Sequence, residues 1–457
     1  MNKKLIPFII SLTLGSLSTG ANADNLLEVY QLALTKDPSV LKSAAIINRD
    51  KEGIVQAKSS LYPNLSFTTS VGKSVGSGSI NVSTTGVGEF IARDTQSINS
   101  RYQFSLTQEV FNMKTWQNLE QSEKRSLQSE VSYKLAKQNL ISRVAQVYFD
   151  ILKAKDSLEF AQAEKKSIER QLEQTNQRFN VGLTAITDVH EARAQFDNSV
   201  ATVIRSENAV EIQKELLREI TGQYHQHLNV LNTERFSTSK MERSASDWVD
   251  TAQSNNQELQ IQSINMDIAK NNIDIAFSGH LPTVNLSATK GRSNINASKI
   301  TLFGQDPKFS NSPPGDSKSI TLSVSVPIFS GFATDSSVKQ AQANYVIAAE
   351  DRELAYRRIV RTIRTSYANV QTLDSTIKAQ EQALLSAESA LGATQAGAEV
   401  GTRTIVDVLD STQKLFNAKR QLSSSRYDYI LAVLNLKLAA GTVNESDVKG
   451  INSGLKN

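Results

Sequence analysis

The sequence predicts a mainly helical chain with a β component, laid out as two copies of one unit. Three observations carry that reading. The turns repeat at a fixed offset, each copy holds paired stretches of alternating apolar and polar residues, and each pair runs into a helical region of sixty-odd residues. Around Gly182 the chain reads Asn180-Val181-Gly182-Leu183-Thr184-Ala185-Ile186-Thr187-Asp188-Val189. Around Gly401 it reads Glu399-Val400-Gly401-Thr402-Arg403-Thr404-Ile405-Val406-Asp407-Val408. The offset is 401 − 182 = 219, and Asp188/Asp407, Pro63/Pro282 and Gly222/Gly441 all keep it. A period of this size excludes short-repeat solenoids.

Residues 1–23 read as a secretory signal: Lys3 and Lys4, an apolar stretch from Leu5 to Leu17, and Ala21-Asn22-Ala23 before Asp24. A first repeat is expected over 24–230, a linker over 231–245, a second repeat over 246–441 and a polar tail over 442–457. Each repeat opens on a helix-forming stretch, 25–58 and 246–278, and then reaches Pro63 or Pro282. Strand patterning follows. Leu65, Phe67 and Val71 are interleaved with Ser66, Thr68 and Ser70, and Val284, Leu286 and Ala288 with Asn285, Ser287 and Thr289. On the returning strands Tyr102, Phe104 and Leu106 alternate with Gln103, Ser105 and Thr107. Ile320, Leu322, Val324 and Val326 do the same against Thr321, Ser323 and Ser325. Period-two alternation gives one apolar face and one small, polar face. The Gly-, Ser-, Asn- and Pro-rich segments 76–98 and 290–317 read as exposed loops.

Long helices are expected over 114–179 and 333–396, each a rod of about 100 Å at about 1.5 Å per residue. Ile141, Val144, Tyr148, Ile151 and Leu158 step by threes and fours, as in the seam of a coiled coil. A Val-Gly turn reverses each rod into a second helix that ends at Gly222 or Gly441. The link at 223–245 and the tail show no strong pattern.

Composition excludes several classes. Without cysteine, a secreted chain draws its stability from packing and oligomerisation. Removing 1–23 leaves a formal charge of about +4 − 2 = +2, which argues against a nucleic-acid partner. No run of about 18 apolar residues follows the signal, so no membrane-spanning helix is expected. His190, His225, His227 and His280 offer no metal-ligand spacing, and the close pair His225/His227 reads as solvated. No phosphate loop, dinucleotide fingerprint or serine-nucleophile elbow is present, so neither an enzyme nor a bound cofactor is expected. An apolar content of 39% fits a thin wall wetted on both sides.

Four amphipathic strands are too few to close a barrel, whose smallest common size is about eight. In lipid only closed barrels satisfy the backbone of a sheet, so closure calls for several copies of the chain. The rival reading is a surface-anchored coiled-coil adhesin or spacer, which would need neither the duplication nor a lumen.

The chain resembles the TolC family of outer-membrane efflux ducts over essentially all its mature length. The most specific stretches are Gln177-Arg178-Phe179-Asn180-Val181-Gly182-Leu183 through Asp188-Val189, and Val400 through Asp410. The resemblance implies a homotrimer: one 12-stranded outer-membrane β-barrel, four strands per chain, continuing into a long periplasmic α-helical barrel. It implies passive conduction of drugs, toxic small molecules or secreted proteins. The implied partners are a periplasmic adaptor and inner-membrane transporters of the resistance-nodulation-division (RND), ABC or major-facilitator (MFS) types.

Asp407 and Asp410 lie three apart on one helix face. In a symmetric trimer they form two stacked carboxylate rings that select cations, and crowding should raise their pKa values. The resemblance places its periplasmic constriction here, and Asp188 with Glu191 repeats the spacing in the first copy. It also implies a lock between Arg403 and an opposing Asp188 and Thr187. Where the best-known members carry Tyr, this chain has Ala398, so the expected latch is weaker or Glu399 substitutes by pairing with Arg403. The tips Val181, Gly182, Leu183, Val400, Gly401 and Thr402 resemble adaptor-docking sites. Tyr62, Phe67, Tyr102, Phe104, Phe111 and Phe329 are candidates for membrane-interface belts, with packing at the strand–rod junction an alternative for Phe111 and Phe329.

Overall fold

The computed structural model describes residues 24–83, 88–238, 241–302 and 308–456. The expected signal at 1–23 lies outside them. The element order repeats. Helices α1 (Leu26–Lys36) and α2 (Pro38–Ser59) lead into strands β1 (Asn64–Ser83) and β2 (Gly88–Phe111), then helices α3 (Met113–Asn180) and α4 (Ile186–Thr221). After a short strand β3 (Val230–Leu231) come α5 (Ala245–Asn255), α6 (Gln257–Phe277), β4 (Thr283–Leu302), β5 (Lys308–Ser325), α7 (Ala333–Glu399) and α8 (Ile405–Ala439). Helix α9 (Glu445–Asn452) and strand β6 (Leu455–Lys456) close the chain. No described helix is long and apolar enough to cross a membrane.

The chain divides into two compact units that cut across the repeats. One contains Ser43–Tyr133 and Gln257–Tyr356. Its antiparallel sheet runs β1-β2-β4-β5, so β1 and β5 are its edges. The register keeps like faces together: Phe67 faces Phe104 with ring centroids 4.7 Å apart, and Leu286 faces Leu322. On the other face hydroxyls pair across strands, Ser66 with Ser105 at 2.8 Å and Thr289 with Ser319 at 2.6 Å. One face is therefore apolar and the other lined with hydroxyls, as the alternation requires. The expected loops at 76–98 and 290–317 are instead strand over most of their length, and residues 84–87 and 303–307 lie outside the described residues. Gly and Ser lower strand propensity, but a continuous ladder to the neighbouring strand satisfies their backbone. In the same unit α3 and α6 join through amides: Gln117 with Asn271, Gln121 with Asn272, and Gln128 with Asn265.

The other unit contains the residues up to Lys42, Lys134–Asn256 and Arg357–Asn457. Its core draws Leu26, Val29 and Ala33 from α1, Val144, Tyr148, Phe149, Ile151 and Leu152 from α3, Leu217 from α4 and Leu434 and Leu436 from α8. Four of the five expected seam residues of α3 are buried, and Leu158 is half-buried. Edge-on rings continue the core from Tyr148 to Phe149, at 5.8 Å. The link and the tail, patternless in sequence, are packed here: β3 pairs with β6, and Val443 and Val448 are buried. His225 is buried too. Its Nδ1 lies 2.7 Å from Asp24 Oδ2 and its Nε2 3.0 Å from the Thr221 hydroxyl, which corrects the solvated reading.

Candidate gate and constriction at the helix turns

Both reversing turns are built alike. Helix α3 ends with Gly182 N–H donating to Phe179 O (2.9 Å) and Leu183 N–H to Arg178 O (2.8 Å). Helix α7 repeats this with Gly401 to Ala398 (3.3 Å) and Thr402 to Gly397 (2.9 Å). These are Schellman caps, which need a left-handed residue, and φ is +74° at Gly182 and +80° at Gly401. Val181, Leu183 and Val400 at the tips are 70–76% exposed, so three apolar side chains stand in water.

The second helices start differently in the two copies. Thr404 caps α8 through a capping box: Asp407 N–H donates to the Thr404 hydroxyl, and the Asp407 carboxylate accepts from Thr404 N–H and Oγ1, both at 2.9 Å. At the same offset (404 − 185 = 219) the first copy has Ala185, which lacks a capping side chain, and the Asp188 carboxylate accepts instead from the Thr184 hydroxyl.

Burial fixes the rotation of α8. Val408, Leu409, Thr412 and Leu415 face inward, with Leu409 packed on Ile168, Leu172, Ala192 and Phe196 of α3 and α4. That leaves Asp407 half-buried and Asp410 exposed. Asp410 lies 2.6 Å from Lys414 one turn along. The backbone N–H and then the hydroxyl of Thr404, with a smaller contribution from Arg403, hold the Asp407 carboxyl below the ordinary range. Within one chain, then, Asp407 shifts in the opposite sense to that expected of crowded carboxylates, because its local donors favour the charged form.

Arg403 folds back on α7. A Cβ placed on Gly397 would lie 2.8 Å from Arg403 Cγ, so Gly397 makes room for the Arg403 stem. Among the described residues no ion pair joins Arg403 to Glu399, so the substitute latch is not formed within the chain, and none joins it to Asp188. Thr187 and Glu399 are both exposed. Another cation bridges the hairpins instead: Arg178 Nη1 donates to the buried Ala398 carbonyl at 3.2 Å. Sequence reasoning gave Arg178 and Gly397 no role, although they hold equivalent positions in the two copies (397 − 178 = 219) just ahead of the turns. Farther along α8, Arg420 meets Glu164 at 2.8 Å, and Ser423 and Tyr427 donate to Asp156 of α3. Burial raises the Asp156 carboxyl, more than those two donors lower it. The described residues contain no metal-binding cluster.

Comparison with known proteins gives this geometry a family. The description "Outer membrane efflux protein" matches residues 29–223 and again 248–442. Both ends are displaced by the same interval, 248 − 29 = 219 and 442 − 223 = 219. The chain belongs to the outer membrane efflux protein family. It is 41% identical over 455 residues to the outer membrane protein TolC of Vibrio cholerae, covering 99% of both chains. It is 26% identical to the proteases secretion protein PrtF of Dickeya chrysanthemi, covering 97% of this chain and 93% of that one. In fold it is similar to the CmeC outer membrane channel of Campylobacter jejuni, with a TM-score of 0.71, 16% identity and 100% and 98% of the two chains covered. Its relatives are outer-membrane channel proteins rather than enzymes, and the adhesin reading loses its footing.

Proposed function

We propose that three copies of this chain close one 12-stranded barrel in the outer membrane and continue it as a helical tunnel in the periplasm. The observation that carries the reading is the full-length, twice-repeated match to outer membrane efflux proteins. The chain is an outer-membrane protein with a large periplasmic part, and it acts as an exit duct for efflux and secretion. The edge strands β1 and β5 support assembly, because unpaired edges in lipid leave backbone groups unsatisfied.

In this assembly Asp407 of three chains forms the selective ring, and Asp410 with Lys414 forms a second, charge-compensated one. Arg403 locks the entrance across the chain boundary to Asp188 and Thr187, with Glu399 beside it. The exposed Val181, Leu183 and Val400, set by Gly182 and Gly401 and flanked by Thr402, are the docking points for a periplasmic adaptor. That adaptor in turn meets an RND, ABC or MFS transporter in the inner membrane.

Single-channel conductance in planar bilayers tests the reading, with wild type compared against Asp407→Ala/Asp410→Ala. The expected result is a cation-selective pore, blocked by multivalent cations from the periplasmic side only while both aspartates are present. A properly inserted oligomer that passes no current would overturn it.

A further inference from the structure

We propose that the apolar face of the sheet carries a binding site for a phosphate-bearing lipid of the outer leaflet, centred on Lys290 and Lys318; the site rests on the barrel reading above. The register puts Phe67, Phe104, Lys290 and Lys318 in one row on one face. The row nearer the helix connections is apolar throughout: Leu65, Leu106, Ala288 and Ile320. The row beyond it holds Thr69, Tyr102, Arg292 and Asp316. On β5 the apolar run Val324, Leu322, Ile320 therefore stops at Lys318, where charge begins. With the helices on the periplasmic side, that rim faces the outer leaflet.

Three features single out this spot. First, two lysines stand directly opposite each other across β4 and β5, an arrangement that is destabilising unless an anion sits between them. Second, no described residue forms an ion pair with either lysine, and the one acid on the adjoining row, Asp316, lies 3.8 Å from Arg292 Nε. Third, the small Ala288 between Leu106 and Ile320 helps open a groove of about 540 Å³, floored by Phe104, Leu106, Ala288 and Ile320 and rimmed by Lys290 and Lys318. An apolar trough ending at two ammonium groups fits an acyl chain joined to a phosphate. Cross-strand Cβ atoms are about 5 Å apart, so both lysines reach one phosphate group. A neutral headgroup would leave their repulsion in place.

The test uses the full-length purified oligomer in lipid nanodiscs, read by native mass spectrometry, with phosphorylated lipid A and its dephosphorylated form as probes. Wild type is expected to retain the phosphorylated form. Lys290→Gln/Lys318→Gln should lose it on the order of tenfold, two surface cations having been removed. Lys290→Arg/Lys318→Arg should keep it, and Arg101→Gln, which removes a cation from the opposite face, should leave it unchanged. Excess inorganic phosphate should not release the bound lipid; release would assign the lysines to a free anion and overturn the lipid site. Equal retention by wild type and the double Gln variant, or an equal loss in Arg101→Gln, would overturn it too. Conductance recorded on the same samples separates the two readings. Normal channels without a lipid difference sink the lipid site alone, whereas a wild type that forms no channel sinks the duct.

Discussion

Asp407 and Asp410 share a helix face, but the chain treats their charges differently. Asp407 is held ionised by Thr404, whereas Asp410 has Lys414 beside it. Removing that lysine should strengthen the negative ring proposed above for the trimer. We expect Lys414→Ala to raise the cation preference of the open pore by roughly twofold, seen as a shift in reversal potential under a salt gradient. An unchanged potential would place Lys414 outside the conduction path. Gly397 makes a second prediction: Gly397→Ala must displace Arg403, so closed-state conductance should rise while the assembled oligomer persists. A third concerns acid. Burial would raise the Asp37 carboxyl, but Ser39, the Val40 N–H and Arg143 outweigh it, and the net shift is downward. A depressed folded value means that this stabilisation is complete above the ordinary carboxylate range and is lost as pH falls through the folded value. Asp37→Asn should therefore lower Tm at neutral pH, and the two melting curves should converge in acid.

Between elements, the apolar packing that sets the rotation of α8 is reinforced by charge-assisted contacts. Helix α8 is fixed to α3 by Arg420 on the buried Glu164, so Arg420→Ala leaves a buried carboxylate without its partner. We expect a loss of about 2 kcal/mol in thermal or chemical unfolding, against nearly nothing for exposed pairs such as Arg193–Asp197. These pairings explain what the sequence did and did not disclose. The long helices, the Val-Gly turns and the strand alternation were legible because period and turn chemistry are local. That Asp407 and Asp410 share one face of α8 needed only a helix and i,i+3 spacing; their role at a constriction came from the family resemblance and is still a proposal. The outer halves of the strands were not legible, because Gly- and Ser-rich segments become strand only through pairing with a distant neighbour. Burial of His225 was likewise hidden, since its partner Asp24 lies 201 positions away in the chain. The same holds for Arg178, whose acceptor Ala398 belongs to the other copy.

Across the whole molecule, the duplication brings both described ends of the chain back to the link between the copies. Asp24 bridges to Leu228, Val230 and Leu231 pair with Lys456 and Leu455, and Asn232 N–H donates to Gly454 O at 3.0 Å. The link is therefore a junction at which the start of the first copy and the tail share one small set of backbone hydrogen bonds. Helix α9 adds the buried Val448 and the Lys437–Asp447 pair at 2.6 Å. Deleting residues 444–457 should then expose the Val443 region, strand β3 and the end of α8 together. Burial of one valine is worth about 1.5–3 kcal/mol, and lost backbone pairing adds to it. We expect the truncated chain to melt several degrees lower and to yield less assembled oligomer, measured by calorimetry and by size-exclusion chromatography with light scattering. Wild-type melting and assembly would show instead that β3 and the link hold without the tail, and that the two copies are joined by their helices alone.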